Sequence, residues 1–221
     1  MRAAVLVACC LFVAAGCGSD HSEPPPGSIL KFDAAKGTSS VFVLGDRSKR
    51  VLPEDIYRVF DRPQDAPEVL IAQRASEATE AACGSGSVEK EQEGPSLGEP
   101  GAETVRIALR GVGVRHYDLV AMTTDNGAVA LSLDPNGSTA CGQPTVDGLL
   151  FAAELRKRDA IVFGLVGERV SAVDLVIDGM TRHAKLGENG FALEIPNPVG
   201  ETLDQVVLHK TDGSKTTFPA G

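Results

Sequence analysis

The strongest constraint on the fold is a series of short apolar runs near the C-terminus, separated by turn-forming residues. The runs cover residues 161–166, 170–178, 181–186, 191–195, 206–209 and 216–218. Asp178-Gly179, Asn189-Gly190 and Asp212-Gly213 lie between or at the ends of these runs, and Asn-Gly and Asp-Gly pairs suit the positive φ angles of tight hairpin turns. Short strands at this spacing indicate an antiparallel β-sandwich or an open barrel.

A second antiparallel unit is predicted in the middle of the chain. Residues 105–109 alternate apolar and polar side chains, and apolar runs follow at 119–123 and 129–133. The sequence Asp125-Asn126-Gly127 between the last two is a hairpin signal. Together these runs predict a meander. Residues 147–158 combine helical propensity with an alternating pattern, so their secondary structure is left open.

Helices are expected only in the N-terminal half. Asp65 and Glu68 have the three-residue offset of a capping box, which predicts a helix over residues 66–82. Pro53-Glu54-Asp55 suits the first turn of a shorter helix that ends near residue 63. The predicted fold class is therefore mainly β, with one or two short helices in the N-terminal half.

The first seventeen residues predict export and attachment to a membrane. One Arg precedes an apolar run at residues 3–15, and small residues then lead to Cys17, which is the layout of a signal peptide. The run is shorter than the roughly 20 residues that span a bilayer. Val13-Ala14-Ala15-Gly16-Cys17 resembles the lipobox of bacterial lipoproteins, which implies a fatty-acylated Cys17 on the extracytoplasmic face of the cell membrane. The alternative is an ordinary cleaved signal in which Cys17 has no role.

Composition divides the chain into four segments. Residues 1–16 are the predicted lipoprotein signal peptide, and residues 17–28 form a tether that contains three consecutive prolines. Residues 29–158 form an N-terminal α+β region, which includes an acidic loop at 84–101 whose composition predicts mobility. Residues 159–221 form a β-rich unit. Whether the last two segments are one domain or two is left open.

Charge and cysteine content limit the partners and the chemistry. The net charge of −9 argues against nucleic acid as a partner. Two basic runs, at residues 47–50 and 156–158, are interpreted as solvated edges, or else as contacts to acidic wall groups. Cys83 and Cys141 remain in the mature chain, and an extracytoplasmic location favours a disulfide between them. A metal-binding pair and a free nucleophile are the alternatives.

Two stretches resemble a known group of proteins. The sequence at residues 60–65, FDRPQD, resembles an "FRRPQ" segment, and residues 161–170 resemble a "VxGLVPDGV" strand-turn-strand. Both segments occur in a group of uncharacterised actinobacterial secreted proteins and lipoproteins. The resemblance implies that residue 161 opens a β-rich, immunoglobulin-like unit, in which Asp178-Gly179 and Asn189-Gly190-Phe191 occupy later motif positions. It implies no activity.

Catalytic signatures are few. The sequence has no GxSxG, HExxH, Walker or SxxK motif, so no cofactor or metal is predicted. His116 and Asp118 are weak catalytic candidates, because two residues apart in a strand they would share a face. His183 and His209 are interpreted as surface residues.

These features predict a non-catalytic binding or scaffolding module that is anchored by lipid on Cys17. The partner would be another envelope protein or the cell wall. The alternatives are a protein that captures a small ligand between its two halves, and a hydrolase or transferase with a site near His116 and Asp118.

Overall fold

Three antiparallel sheets and one α-helix make up the described part of the chain. The computed structural model describes residues 30–32, 40–44, 51–83, 101–135, 137–145, 148–156 and 158–219. Within these residues the fold is mainly β, and none of the sheets is closed into a barrel. The predicted mainly β class, with a helix in the N-terminal half, is confirmed.

The elements follow one another in a regular order. Three 3-10 turns lie at Pro53–Asp55, Arg58–Phe60 and Ala102–Thr104. The helix and strands are β1 (Leu30–Lys31), β2 (Ser40–Leu44), α1 (Ala66–Cys83), β3 (Arg106–Val112), β4 (Tyr117–Thr123), β5 (Val129–Asp134), β6 (Thr139–Gly142), β7 (Leu149–Leu155), β8 (Asp159–Leu165), β9 (Val170–Ile177), β10 (Met180–His183), β11 (Lys185–Leu186), β12 (Gly190–Pro196), β13 (Thr202–Lys210) and β14 (Lys215–Pro219).

The strands form three sheets, which differ in how far apart their paired strands lie in the sequence. The meander sheet has the order β3-β4-β5-β6 and is built from neighbouring hairpins, as its sequence predicts. The central sheet has the order β11-β12-β8-β7-β2. The outer sheet has the order β1-β13-β9-β10, with β14 also paired to β13. The central and outer sheets therefore combine strands from both ends of the described chain.

The central sheet is covered on both faces. On one face, Ala152, Ile161 and Phe163 join a buried cluster with the meander sheet. On the other face, Phe151 and Val162 join a second cluster with the outer sheet. Because alternate side chains along a strand point to opposite faces, every side chain of such a strand is buried. The result is a stack in which the central sheet lies between the other two.

This packing explains why the sequence does not decide the secondary structure of residues 147–158. Residues 149–153 form the start of β7, and all of them are buried. A strand covered on both faces carries a near-continuous apolar run instead of an alternating one, which is why its pattern also suits a helix. β7 pairs with β8 across residues 156–158, with Leu150 opposite Leu165. Strands on both sides of the predicted boundary at 158/159 thus belong to one sheet.

The helix covers the other face of the meander sheet. Ile71, Ala72 and Ala75 of α1 pack with Val120 and Met122 of β4 in a third buried cluster. The predicted capping box is present at its start. The backbone N–H of Asp65 donates to Glu68 Oε2 at 2.7 Å, and the backbone N–H of Glu68 donates to Asp65 Oδ1 at 2.9 Å. The small side chains of this face let the helix lie close to the sheet.

The shorter predicted helix takes a different form. Residues 53–60 contain two three-residue 3-10 turns instead of one α-helix. The reason is Tyr57, which has extended backbone angles (φ −113°, ψ 101°) between the two turns. Its side chain is fully buried in the cluster between the central and meander sheets. Burial of one aromatic side chain is thus favoured over continuation of the helix.

Gly164 in β8 gives a direct test of this close packing. We expect Gly164→Ala to lower the free energy of unfolding by about 1–3 kcal/mol. A Cβ at this position would meet the carbonyl oxygen of Leu150 and would lie 2.7 Å from Phe191 Cε1. Gly167→Ala is the matched control, because its nearest neighbour would be Ile56 Cγ2 at 3.7 Å. Urea denaturation of both variants measures the difference, and equal midpoints would contradict the prediction.

Candidate functional site

The weak catalytic pair of the sequence is not assembled as predicted. His116 is exposed and lies in the turn before β4, with a positive φ of 54°. The Asp118 carboxylate accepts a hydrogen bond from the backbone N–H of Gly111 at 3.2 Å and lies 3.6 Å from Arg110 Nη1. The expectation that His116 and Asp118 share a strand face is wrong, because the strand begins only at Tyr117.

The cysteines are described only in part. Cys17 and the acidic segment 84–100 lie outside the described residues, as do residues 47–50 of the first basic run. Helix α1 ends at Cys83, whose side chain also lies outside the description. Cys141 lies in β6, half-buried against the cluster between α1 and the meander sheet. The pairing of Cys83 with Cys141 therefore remains a prediction.

Arg156 of the second basic run is not the solvated side chain that the sequence predicts. Only 11% of its side chain is exposed. Its guanidinium carbon lies 4.5 Å from the centroid of the Tyr117 ring, and Nε donates to Glu154 Oε1 at 2.6 Å. A cation–π contact and a charged partner together allow Arg to be buried. Arg156 thus fastens the central sheet to β4 of the meander sheet.

A buried ion pair lies in the segment that resembles the "FRRPQ" motif. Arg62 donates to both carboxylate oxygens of Glu68, which is fully buried, and its Nε donates to Glu188 Oε2 at 2.7 Å. The Glu68 carboxylate also accepts from the backbone N–H groups of Ile107 at 2.6 Å and of Asp65 at 2.7 Å. One carboxylate thus joins the helix start, the meander sheet and Arg62.

The charge of Glu68 is stabilised by these donors. Burial by itself raises the pKa of the Glu68 carboxyl. The hydrogen bonds from Arg62 and from the backbone of Asp65 and Ile107 outweigh burial, so the pKa lies below its ordinary value of 4.5. The sequence shows Glu68 only as a helix-capping residue. Its bond to Arg62 spans six residues, and its bond to Ile107 depends on a tertiary contact that no local pattern reveals.

Asn189 links the residue just before the first resemblance stretch to the second stretch. Its side-chain Oδ1 accepts from the backbone N–H of Val59 at 2.9 Å, and its Nδ2 donates to the carbonyl of Val166 at 3.0 Å. The N–H of Val166 in turn donates to the Asn189 carbonyl at 2.8 Å. Asn189 has a positive φ of 61°, a conformation that Asn tolerates better than most residues. The segments around Val59, Val166 and Asn189 therefore meet here, and this meeting point is called the joint.

A pocket of about 350 Å³ lies beside this joint. Arg58 contributes from the 3-10 turn at Arg58–Phe60, and Glu168 contributes from the turn between β8 and β9. Leu186 contributes from the end of β11, and Glu188 contributes from the segment between β11 and β12. The pocket thus lies between the N-terminal region and the β-rich C-terminal unit, where the sequence allowed for capture of a small ligand.

The outer sheet carries a second polar cluster, formed by one aspartate and two histidines. His183 Nδ1 lies 2.6 Å from Asp174 Oδ1, and His209 Nε2 lies 2.7 Å from Asp174 Oδ2. Asp174 is only 8% exposed, and it sits on β9 between β10 and β13, which carry the two histidines. The interpretation of His183 and His209 as unconnected surface residues missed this cluster.

The two imidazoles control the ionisation of Asp174. Burial raises the pKa of its carboxyl, but the hydrogen bonds with His183 and His209 outweigh burial and hold the pKa below its ordinary value of 3.8. Within the described ranges, no three His, Cys, Asp or Glu side chains are arranged to hold a metal ion. The cluster is a pair of cross-strand hydrogen bonds that links β9 to β10 and to β13.

Comparison with known proteins gives no further information. No protein-family model, curated protein or solved structure matches this chain. The resemblance to the actinobacterial group therefore depends on residues 60–65 and 161–170 and on the later motif positions at 178–179 and 189–191. Among the helices that the structure describes, none has the length and apolar character needed to cross a bilayer.

Asp174→Asn tests the energetic role of the cluster. We expect the variant to lower the free energy of unfolding by about 1–2 kcal/mol at neutral pH. The hydrogen bond to the mostly exposed His183 contributes little, and the hydrogen bond to His209 contributes more. A carboxyl with a depressed pKa stabilises the fold above its unfolded-state pKa, and this contribution is lost as the pH falls through the folded-state value. The difference in the free energy of unfolding between wild type and Asp174→Asn should therefore shrink as the pH falls below 3.8, the ordinary pKa of an aspartate.

The control for this measurement is Asp61→Asn, because Asp61 is exposed. Its denaturation midpoint at neutral pH should match that of the wild type. His209→Gln should cost more than His183→Gln, since the side chain of His209 is 27% exposed and that of His183 is 83% exposed. Equal effects of the two histidine variants would contradict a cluster centred on Asp174 and His209.

Proposed function

We propose that this protein is a lipid-anchored component of the cell envelope whose ectodomain is a non-catalytic binding or scaffolding module. The observation that carries the anchor is the sequence Val13-Ala14-Ala15-Gly16-Cys17 behind an apolar run too short to span a bilayer. Cys17 would carry the lipid, and residues 18–28 would hold the ectodomain away from the membrane surface. The partner would be another envelope protein or the cell wall.

The layered packing supports a binding surface on the outer sheet. Its inner face is buried against the central sheet through Val173, Leu175 and Leu208. On its other face, Thr181 and Gln205 are exposed. The central sheet is covered on both faces by the other two sheets. The meander sheet is covered by the central sheet on one face and by α1 on the other. The outer sheet is therefore the layer that we assign to partner contact.

A disulfide between Cys83 and Cys141 belongs to the same proposal. An exported domain with two remaining cysteines is expected to oxidise them. One feature supports the pairing: α1, which ends at Cys83, packs against β6, which contains Cys141. The bridge would fasten the end of the helix to the meander sheet.

The anchor can be tested by metabolic labelling with an alkyne fatty acid. Wild-type protein should incorporate the label and fractionate with membranes, and Cys17→Ala should lose the label. Cys141→Ala serves as the matched cysteine control and should keep it. An unlabelled wild-type protein would contradict lipid attachment at Cys17 and would favour an ordinary cleaved signal.

The binding role can be tested by cross-linking in intact cells, followed by affinity purification. Wild-type protein should recover one dominant envelope partner, and Cys17→Ala should lose it. A double variant of the outer sheet, Thr181→Glu with Gln205→Glu, should also lose the partner. Leu70→Glu is the control, because Leu70 is 76% exposed on α1, on the opposite side of the stack. Recovery of no partner above background would contradict the binding role and favour the enzyme or small-ligand alternatives.

A further inference from the structure

We propose that the pocket between Arg58, Glu168 and Glu188 binds a small zwitterion with an aliphatic body, of the size and chemistry of a free aliphatic amino acid. Arg58 would bind the carboxylate, and Glu168 with Glu188 would bind the ammonium group. This role is separate from the partner contact proposed for the outer sheet, since the pocket lies at the joint between the two halves of the chain.

The walls of the pocket are held in place by bonds that involve no ligand. Asn189 is bonded to Val59 on one side and to Val166 on the other. The backbone N–H of Glu168 donates to the Ile56 carbonyl at 3.3 Å, and Arg62 Nε holds Glu188 Oε2 at 2.7 Å. These contacts connect all three contributing segments. A site formed in advance binds with a smaller entropic cost than one that must be ordered by its ligand.

The lining has an apolar part and a charged rim. Val166 is buried, and Val170 and Leu186 are half-buried, so they supply the apolar surface. Arg58 and Glu168 are exposed at the rim. The exposed lining of the pocket is mostly polar, and the apolar part is the smaller one. This division fits a small ligand whose charged groups make most of the contacts and whose aliphatic side chain is compact.

The rim charges specify both ends of the ligand. The ion pairs found among the described residues do not include Arg58 or Glu168, while Glu188 pairs with Arg62 through one oxygen. A guanidinium can hold a carboxylate through two parallel hydrogen bonds. Two nearby carboxylates disfavour a ligand that carries only negative charge. A molecule with one carboxylate and one ammonium can pair with Arg58 through the carboxylate and with Glu168 and Glu188 through the ammonium.

The volume restricts the ligand further. About 350 Å³ lies at the lower end of the range for small-molecule pockets. An amino acid with a branched aliphatic side chain fits within that space. The proposal therefore names leucine and valine as probes of the class.

The experiment measures binding of L-leucine and L-valine to the full-length protein in detergent by isothermal titration calorimetry. Two analogues, leucinamide and N-acetyl-leucine, remove the negative and the positive charge in turn. We expect leucine to bind and each analogue to bind at least about tenfold more weakly, which corresponds to about 1.4 kcal/mol for each lost charge contact.

Pocket variants assign each charge to its residue. Arg58→Gln should weaken leucine and N-acetyl-leucine binding but leave leucinamide binding unchanged. Glu168→Gln should weaken leucine and leucinamide binding but leave N-acetyl-leucine binding unchanged. Glu103→Gln is the matched control, because Glu103 is exposed in the 3-10 turn at Ala102–Thr104, away from the pocket lining. Circular dichroism verifies that every variant is folded.

Three outcomes would overturn the proposal. They are no binding of leucine or valine at millimolar concentration, tighter binding of leucinamide than of leucine, and binding that the Arg58 and Glu168 variants leave unchanged. None of these outcomes affects the labelling or cross-linking tests, so failure of the ligand site and failure of the anchored binding module are distinguished.

Discussion

Replacing Glu68 by alanine should lower the free energy of unfolding by about 3–5 kcal/mol. The substitution removes a fully buried carboxylate that accepts hydrogen bonds from Arg62 and from the backbone of Asp65 and Ile107. The Ile107 N–H would then lack its acceptor inside the fold, and the helix would lose its capping box. Urea denaturation at neutral pH measures the loss.

The pH dependence of this loss has a definite sign. The pKa of Glu68 is depressed in the folded state, so its contribution to stability is complete above the ordinary value of 4.5. As the pH falls through the lower folded-state pKa, the carboxylate is protonated and the contribution is lost. The gap between wild type and Glu68→Ala should therefore be widest near neutral pH and should narrow in acid.

Glu188→Gln is the matched control for Glu68→Ala. Glu188 is the other carboxylate partner of Arg62, but 40% of its side chain is exposed. An exposed ion pair contributes only about 0–1 kcal/mol, so this variant should remain close to the wild type. Similar losses in the two variants would show that burial of Glu68 is not the source of its effect.

Loss of the proposed Cys83–Cys141 disulfide should cost about 4 kcal/mol in the chain-entropy treatment of loop closure. For a chain of this size, that loss corresponds to a melting temperature lower by about 8–16 °C. The physical reason is that the bridge restricts the unfolded chain, including the long acidic segment between the two cysteines. Thermal unfolding of Cys83→Ser, Cys141→Ser and the double variant measures the effect.

The three cysteine variants form a cycle that isolates the bridge. If the residues are bonded, each single variant should cost about as much as the double variant, because either change removes the same bond. A reducing agent should destabilise the wild type and leave the double variant unchanged. Two free thiols in the mature wild-type protein, detected by alkylation and mass spectrometry, would contradict the disulfide.

The sequence predicts those elements that depend on local rules. The capping box at Asp65 and Glu68 forms as expected because its donors and acceptors are three residues apart. The Asp178-Gly179 turn has two positive φ angles, 48° and 72°, and it sets the register of β9 and β10. That register places Asp174 opposite His183, so half of the outer-sheet cluster could have been found by counting outward from the turn.

The remaining features depend on contacts between distant parts of the chain. His209 reaches Asp174 because β13 pairs with β9, and no local pattern specifies that pairing. Arg156 is buried because Tyr117 and Glu154 surround its guanidinium, while its own segment looks like a solvated basic run. The pocket likewise combines a 3-10 turn with two later turns. Residue type indicates which side chains are candidates for a functional site, and tertiary packing determines which of them are in contact.

The sheet order also determines when each layer can form during synthesis. Among the described strands, β3 to β6 pair only with their neighbours in sequence, so the meander sheet can form from local contacts as soon as β6 is made. β2 must wait for β7 in the central sheet, and β1 must wait for β13 in the outer sheet. Distant pairings have a high loop-closure cost and form slowly. The meander sheet with α1 is thus the expected folding nucleus, and the outer sheet closes last, only after nearly the whole chain has emerged.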